Sequence, residues 1–383
     1  MNLDDSKLQK QKTIAPAIVG RIDTYPELNL CLTHKSVNNH VFQKLDLTKH
    51  EEQLLKIEIN QSTFLGCTMS NTLKSHLEKN NYIISEFNVP FEAFPSQLYD
   101  KDTLYNNYDY NNPDSYSKTL DKIVYDRYYS FGAISDNLGE MLARTLHDYS
   151  IRTSKYEFLD NYDQKKVVAI MGGHKLERNS NFYKQIAYLS KTLTEKGYLM
   201  VSGGGPGAME ATHLGAWFAD KPNSHLDNAI SILSVAPVYN HELWLPSAFK
   251  VFDEYPTTNY KSLSIPTWFY GHEPPTPFST HIAKLFENSL REEGLLSIAK
   301  GGVIYAPGSA GTMQEIFQDL AQNHYESYGH SSPMIFCGEE YWTKQVPIYP
   351  FLKSLIENKR LNPAVDISVH SHNHSIVDYL EKK

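Results

Sequence analysis

Three glycine-rich turns between residues 172 and 312 have the residue types that bind an anion. Each follows an apolar segment and leads into a segment with helical spacing. Glycine lets backbone N–H groups approach a phosphate, and the N-terminus of the following helix attracts negative charge. One such turn is often only a tight connection, whereas three after successive strands predict a shared site. The turn residues are Gly172 and Gly173; Gly203, Gly204, Gly205, Gly207 and Met209; and Gly308, Ser309, Gly311 and Thr312.

The spacing of these glycines distinguishes between classes of nucleotide ligand. None of the three turns has the GxGxxG pattern of dinucleotide-binding folds, and none has the GxxxxGK[ST] pattern of P-loop NTPases. The sequence therefore favours a mononucleotide over a nicotinamide dinucleotide or the triphosphate of a P-loop enzyme.

Thr312 and Glu315 give the third turn its potential for catalysis. They lie three residues apart at the predicted start of a helix, so their side chains share one face. The hydroxyl suits a phosphate or ribose oxygen. The carboxylate is expected to stay ionised near the helix N-terminus, where it suits activation of water or stabilisation of an oxocarbenium-like carbon. A glutamate in a first turn also complements the helix dipole without catalysing anything, so the spacing alone leaves both interpretations open.

The three turns lie within a segment in which strand and helix patterns alternate. Continuous apolar runs predict buried strands, and period-3.6 patterns predict the helices between them. The predicted fold class is therefore α/β, with a doubly wound, Rossmann-like parallel sheet that binds ligands beyond the carboxyl ends of its strands. The Pro- and Tyr-rich segment 237–277 is long for a connection and is a candidate lid or binding loop. Strands are predicted at 167–171, 198–202, 229–237, 302–306 and 333–337, and a helix at 279–293.

Two regions are predicted along the chain. Residues 1–118 carry short strand patterns and one clear helix, which indicates an additional mixed α/β region. Residues 100–117 are rich in Asn, Asp and Tyr and mark the connection. Residues 119–383 are predicted to form the Rossmann-like, nucleotide-binding catalytic domain.

Composition and charge limit the classes of partner. The 36 basic and 44 acidic residues give a formal net charge of −8, which argues against nucleic acid and anionic membranes. The three cysteines have no CxxC spacing, which supports neither a disulfide framework nor a thiolate metal site. The N-terminus is charged from residue 4 onward and lacks the apolar core of a signal peptide, and no later apolar run is long enough for a membrane span, so a cytoplasmic location is expected.

The second and third turns together resemble the paired motifs of an enzyme family. GGGPGAMEA, followed about a hundred residues later by PGSAGTMQE, is similar to GGGxxGxM and PGGxGTxxE of the Lonely-guy (LOG) phosphoribohydrolases, often mislabelled lysine decarboxylases. The chain length and the additional N-terminal region look more like the larger bacterial nucleotide 5′-monophosphate nucleosidases of that superfamily. The resemblance covers roughly residues 165–340. It implies hydrolysis of the N-glycosidic bond of a nucleoside 5′-monophosphate to a free base and ribose 5-phosphate.

The resemblance also implies roles for particular residues. It implies that Glu315 is catalytic and that Arg291 is the arginine required for catalysis or substrate binding. Ser309 stands where the family motif has a second glycine, and Glu292 stands where short members have a second cation, so the substrate is expected to differ more than the reaction. A homo-oligomer, a dimer or larger, is implied, as is a regulatory or oligomerising N-terminal region. No metal and no other cofactor is expected.

Some alternatives stay open at this stage. The same fold without hydrolysis would be a nucleotide-binding sensor or carrier. The group that protonates the leaving base is not identified; three candidates are His174, His281 and Asp319. Three adjacent aromatic residues suit either stacking on a base or packing in the core: Trp268, Phe269 and Tyr270. Three alternating histidines resemble a metal-binding tract but also fit a polar loop: His370, His372 and His374.

Overall fold

The computed structural model describes residues 20–383, which form two compact units. The larger unit comprises Leu98–Ala133 and Lys155–Lys383, and the smaller comprises residues 20–97 and Ile134–Ser154. The predicted boundary between residues 118 and 119 lies within the first segment of the larger unit. The part of the predicted N-terminal region before residue 20 lies outside the described residues, and the assignment of a separate regulatory region stays a prediction.

A short strand, turn and helix pattern recurs along the smaller unit. Its strands are β1 (Arg21–Ile22), β2 (Ser36–Asn38), β3 (Val41–Gln43), β4 (Glu58–Asn60), β5 (Thr63–Leu65) and β6 (Tyr82–Ile84), and its short helices are α1 (Tyr25–Cys31), α2 (Glu51–Leu54) and α3 (Asn71–Leu77). Two parallel sheets result, with the orders β1-β3-β5-β6 and β2-β4. Ile22, Phe42, Phe64 and Ile83 stand at equivalent register positions, and the rings of Phe42 and Phe64 stack with centroids 4.5 Å apart. This stack lies in the core of the unit.

Strands and helices alternate along most of the larger unit. Its strands are β7 (Val167–Met171), β8 (Leu199–Ser202), β9 (Ser262–Ser264), β10 (His281–Ile282), β11 (Gly302–Tyr305), β12 (Met334–Cys337) and β13 (Ile367–His370). The remaining helices are α4 (Lys101–Leu104), α5 (Leu120–Phe131), α6 (Leu138–Leu159), which starts in the smaller unit's segment, α7 (Asn181–Glu195), α8 (Ala208–Trp217), α9 (Asn223–Leu233), α10 (Trp244–Glu254), α11 (Asn288–Ile298), α12 (Ala310–Tyr325), α13 (Ile348–Glu357) and α14 (Asn373–Leu380). Within residues 20–383, no helix combines the length and apolar character needed to cross a membrane.

All seven strands of the larger unit form one parallel sheet. Its order is β10-β9-β8-β7-β11-β12-β13, so the chain winds from β7 in one direction and then returns to wind from β11 in the other. This confirms the predicted α/β class with a doubly wound parallel sheet. The order reverses between β7 and β11, which is the position where such sheets leave a crevice for a ligand. Every residue of β7 is buried, as its apolar sequence predicts.

Two predicted elements are wrong. The apolar run 229–237 was predicted as a strand, but α9 occupies its first half, and β9 is the next strand after β8. Leu226, Ala229, Ile230 and Leu233 are the buried residues of α9, and their helical spacing outweighs the strand-like run. The predicted helix at 279–293 begins only at Asn288, because His281 and Ile282 pair with β9 as an edge strand.

Candidate active site

The three glycine-rich turns contact one another beyond the carboxyl ends of β7, β8 and β11. The N–H of Gly173 donates to Pro307 O (3.1 Å), which joins the first and third turns. The N–H of Ala208 donates to Gly173 O (3.3 Å), which joins the first and second. Gly207 has a φ of +70°, and a β-carbon there would lie 2.4 Å from Gly173 O. The structure thus brings together the turns identified in the sequence, and their binding role stays a prediction.

Two helices begin at this meeting point without a side-chain cap. The N-cap residue of α8 is Gly207, which has no side chain, and the N-cap residue of α12 is Ser309, whose side chain accepts no hydrogen bond from the helix. The first N–H groups of a helix have no partner within the helix, and they carry the positive end of its dipole. Apart from the two chain neighbours of Gly311 and the adjacent backbone of α12, no atom of the described residues lies within 4 Å of a β-carbon placed on Gly311, so space is open above the first turn of α12.

The other turn residues are tightly packed. A β-carbon on Gly308 would lie 2.0 Å from Thr312 Oγ1, so the hydroxyl of Thr312 rests on the backbone of the third turn. Met209 lies beneath the second turn, with its Sδ 2.8 Å from a β-carbon placed on Gly203. Gly172 is enclosed by the β-carbons of Ala208 and Ala306 in the same way. Close packing at Gly203, Gly308 and Gly172 leaves no room for larger side chains there.

Arg291 on α11 extends over the second turn. A β-carbon on Gly203 would lie 2.2 Å from its Nη2 atom. The guanidinium donates from Nε to Ile265 O (3.2 Å) and from Nη1 to Glu292 Oε1 (2.8 Å), and Nη1 lies 3.6 Å from Glu315 Oε1. Arg291 is therefore held in one orientation, close to the backbone of the second turn and to the carboxyl of Glu315.

Glu315 is buried on α12, and burial raises the pKa of its carboxyl to about 7, against the opposing charge of Arg291. This corrects the expectation that Glu315 stays ionised, because loss of hydration outweighs the opposing charge of Arg291. One turn further along, burial also raises the pKa of Asp319 to about 7. Asp319 accepts hydrogen bonds from Tyr305 Oη (2.6 Å) and Asn323 Nδ2 (3.1 Å), so it is engaged beneath the site.

Glu273 is a further acidic residue at the site that sequence reasoning missed. Its Oε2 atom lies 3.5 Å from a β-carbon placed on Gly205, and its Oε1 atom lies 3.5 Å from Nδ1 of His174 in the first turn. Burial raises the pKa of Glu273 and lowers that of His174. The only signal in the sequence was its place in the segment 237–277, identified as a candidate lid or binding loop.

A buried ion pair supports the first and second turns from below. Arg178 donates from Nε (2.7 Å) and Nη2 (2.5 Å) to the two carboxylate oxygens of Glu210, which belongs to the segment GGGPGAMEA of the second turn. Tyr183 Oη donates to the same carboxylate (2.9 Å), and Arg178 Nη1 also donates to Trp244 O (2.9 Å). Arg178 follows the first turn, Glu210 lies on α8 and Trp244 lies on α10. These buried hydrogen bonds therefore connect the segment after the first turn to α8 and α10.

The remaining candidates from the sequence lie in other surroundings. His281 contacts Thr280 and the ring of Phe158, and burial lowers its pKa to about 4. Trp268 is fully buried and its ring stacks on Phe286, which supports the core interpretation, whereas Phe269 and Tyr270 are partly exposed. The rings of His372 and His374 stack with centroids 5.5 Å apart. Across residues 20–383, no group of three or more His, Cys, Asp or Glu is placed to hold a metal ion.

Comparisons with known proteins identify similar solved structures but no family. No protein-family model matches the chain, and no curated protein matches it. Solved structures similar to it include the molybdenum cofactor binding protein from Rippkaea orientalis (13% identity, TM-score 0.35, covering 56% of this chain and 95% of that chain). The molybdenum cofactor carrier protein from Chlamydomonas reinhardtii matches at 13% identity and TM-score 0.36, over 57% and 98%. A structural-genomics target, TM1055, matches at 18% identity and TM-score 0.37, over 57% and 99%. The fold assignment rests on the strand order of the chain itself, a doubly wound parallel α/β sheet.

Proposed function

We propose that this protein hydrolyses the N-glycosidic bond of a nucleoside 5′-monophosphate and releases a free base and ribose 5-phosphate. The observation that carries this proposal is the pair of Arg291 and Glu315 beside the meeting point of three glycine-rich turns. Arg291 Nη1 lies 3.6 Å from Glu315 Oε1. The resemblance of the second and third turns to the LOG motifs supports the same reaction. The proposal also includes a cytoplasmic homo-oligomer that binds neither nucleic acid nor membrane.

The turns supply the phosphate-binding part of the proposed site. In this proposal, backbone N–H groups of the Gly203–Gly207 and Gly308–Thr312 turns bind the phosphate, helped by the positive N-termini of α8 and α12, which begin at these turns. The open space above Gly311 admits a group against the first turn of α12. A 5′-phosphate there would receive hydrogen bonds from the backbone, and Arg291, whose guanidinium also contacts Glu292 and Glu315, would be its charged partner.

Glu315 and Arg291 supply the proposed chemistry. Glu315 accepts a proton from the water that attacks C1′ of the ribose, and a pKa of about 7 suits a general base at neutral pH. Arg291 offers a planar, oriented guanidinium to a ribose or phosphate oxygen, where charge-assisted hydrogen bonds are strong. The C1′ carbon develops positive charge as the base departs, and the ionised Glu315 stabilises that charge.

A chromatographic assay tests the proposal directly. Purified protein is incubated with AMP, GMP, IMP, CMP, UMP and their deoxy forms, beside Glu315→Gln and the control Glu357→Gln, whose carboxyl is exposed on α13. We expect release of a free base and ribose 5-phosphate by the wild type and the control, and a loss of at least about 100-fold in Glu315→Gln.

The same experiment separates the proposal from its alternative. Nucleotide binding measured by calorimetry, with no base released from any of these substrates, would reject the hydrolase and favour a sensor or carrier. Light scattering of the purified protein tests the proposed oligomer; a monomer at assay concentration would remove that part of the proposal.

A further inference from the structure

We infer that Glu273 is the catalytic acid that donates a proton to the departing base. This inference rests on the proposed nucleosidase function. It assigns the one step of that reaction for which the sequence offered His174, His281 and Asp319 without a choice between them.

The position of the Glu273 carboxyl supports this role. Its two oxygens lie against two different glycine-rich turns, Oε2 toward Gly205 and Oε1 toward His174. It therefore lies at the rim of the proposed phosphate-binding turns, on a different element from Glu315. Its side chain is 14% exposed, so it is largely buried but still accessible.

The loop that carries Glu273 is fixed at several points. The N–H of Glu273 donates to Tyr270 O (2.9 Å), and the N–H of Thr276 donates to Gly204 O in the second turn (2.8 Å). On the other side, Tyr105 Oη donates to Pro275 O. These bonds tie the loop to the turn itself, so the carboxyl holds its position relative to the glycines, as a catalytic acid requires.

The surroundings of Glu273 favour its protonated form more than an exposed site would. Burial raises its pKa, and the charges of His272 and Arg291 oppose that shift. His174 contributes little charge because burial and the neighbouring Lys175 lower its pKa. Tyr239 contacts the ring of His174, and its own pKa is raised by burial and by Glu273. A bound base would exclude more water from Glu273 and favour the protonated form further.

Two of the other candidates, Asp319 and His281, are engaged elsewhere, whereas His174 lies beside Glu273 itself, with its Nδ1 3.5 Å from Glu273 Oε1. Asp319 accepts hydrogen bonds from Tyr305 and Asn323 and is fully enclosed. His281 packs against Phe158 on the edge strand β10. In the balanced reaction, the C1′–N bond breaks with its electron pair going to the base nitrogen, which takes the proton of Glu273. The oxygen of water bonds to C1′, and one proton of that water passes to Glu315.

Nucleotides with a cationic base provide a specific test, because such a base departs without being protonated. Wild type, Glu273→Gln and the control Glu357→Gln are assayed with the best ordinary nucleotide and with 7-methylguanosine 5′-monophosphate and nicotinamide mononucleotide. We expect Glu273→Gln to lower kcat/KM for the ordinary nucleotide by about 100-fold or more, and for a cationic nucleotide by less than about tenfold.

A pH profile gives a second readout for the ordinary nucleotide. The decline of kcat/KM at high pH should be present in the wild type and absent in Glu273→Gln. An equal loss on ordinary and cationic nucleotides, an unchanged high-pH decline, or no loss at all would overturn the role of Glu273. If the wild type cleaves none of these nucleotides, the proposed function itself fails, which is a distinguishable result. Melting temperatures of the variants establish that each is folded.

Discussion

At the scale of single residues, the site combines features that spacing predicts with features that only burial creates. The sequence predicted Glu315 from the motif of the third turn and Arg291 from its place on the helix before that turn, and the catalytic roles of both stay predictions. It did not give the pKa of Glu315, which depends on how completely the neighbouring elements exclude water. It missed Glu273, because that residue reaches the turns only through the anchoring of its loop to Gly204 and Tyr270.

The raised pKa of Glu315 predicts that Glu315→Gln stabilises the protein at alkaline pH. The pKa of this carboxyl is about 7 in the folded state, and its ordinary value is 4.5. Between pH 4.5 and pH 7 the folded protein therefore binds more protons at this site than the unfolded protein does. The free energy of unfolding therefore falls as pH rises through that range. At pH 8 the variant should be more stable by about 2–3 kcal/mol, and at pH 4.5 about equal to wild type. Urea unfolding at both pH values measures this, and an equal effect at both would contradict it.

At the scale of elements, strand identity was harder to predict than the turns. The run 229–237 is apolar enough for a strand, but a short apolar run does not separate a buried strand from one face of a helix. Strand β9 and the edge strand β10 are only three and two residues long, too short to show a periodic pattern. The glycine-rich turns were easier to find, because few residue types fit the close backbone contacts that they make.

Variants of Gly207 and Gly311 separate two roles of the turn glycines: close contact with a neighbouring turn and open space for a ligand. Gly207→Ala places a β-carbon 2.4 Å from Gly173 O at a φ of +70°, so we expect the free energy of unfolding to fall by about 2–4 kcal/mol. The new β-carbon of Gly311→Ala meets no described atom within 4 Å beyond its chain neighbours and the adjacent backbone of α12, and it lies inside α12, so stability should stay within about 1 kcal/mol of wild type. Its nucleotide affinity should nevertheless fall, because the methyl group occupies the open space. Urea unfolding and calorimetry measure both quantities; similar destabilisation by the two variants would contradict the proposed arrangement.

At the scale of the whole molecule, the sequence predicted the doubly wound sheet but not the repeating organisation of the smaller unit. The equivalent core positions Ile22, Phe42, Phe64 and Ile83 are 20, 22 and 19 residues apart. Strands of two or three residues and an irregular repeat length leave little periodicity for sequence analysis to detect. In the larger unit, by contrast, β7 and β11 are uninterrupted apolar runs, which is typical of strands covered on both faces.

Separate hydrophobic cores predict that the two units lose protection against hydrogen exchange independently. Phe64 belongs to the core of the smaller unit, and Ile335 belongs to that of the larger. Phe64→Ala removes a fully buried ring, which typically destabilises by about 3–5 kcal/mol, and should accelerate amide exchange in β3 and β5 while β7 and β11 stay protected. Ile335→Ala should produce the reverse pattern. Hydrogen exchange followed by mass spectrometry distinguishes these results from a uniform acceleration by either variant, which would mean that both cores unfold as one cooperative unit.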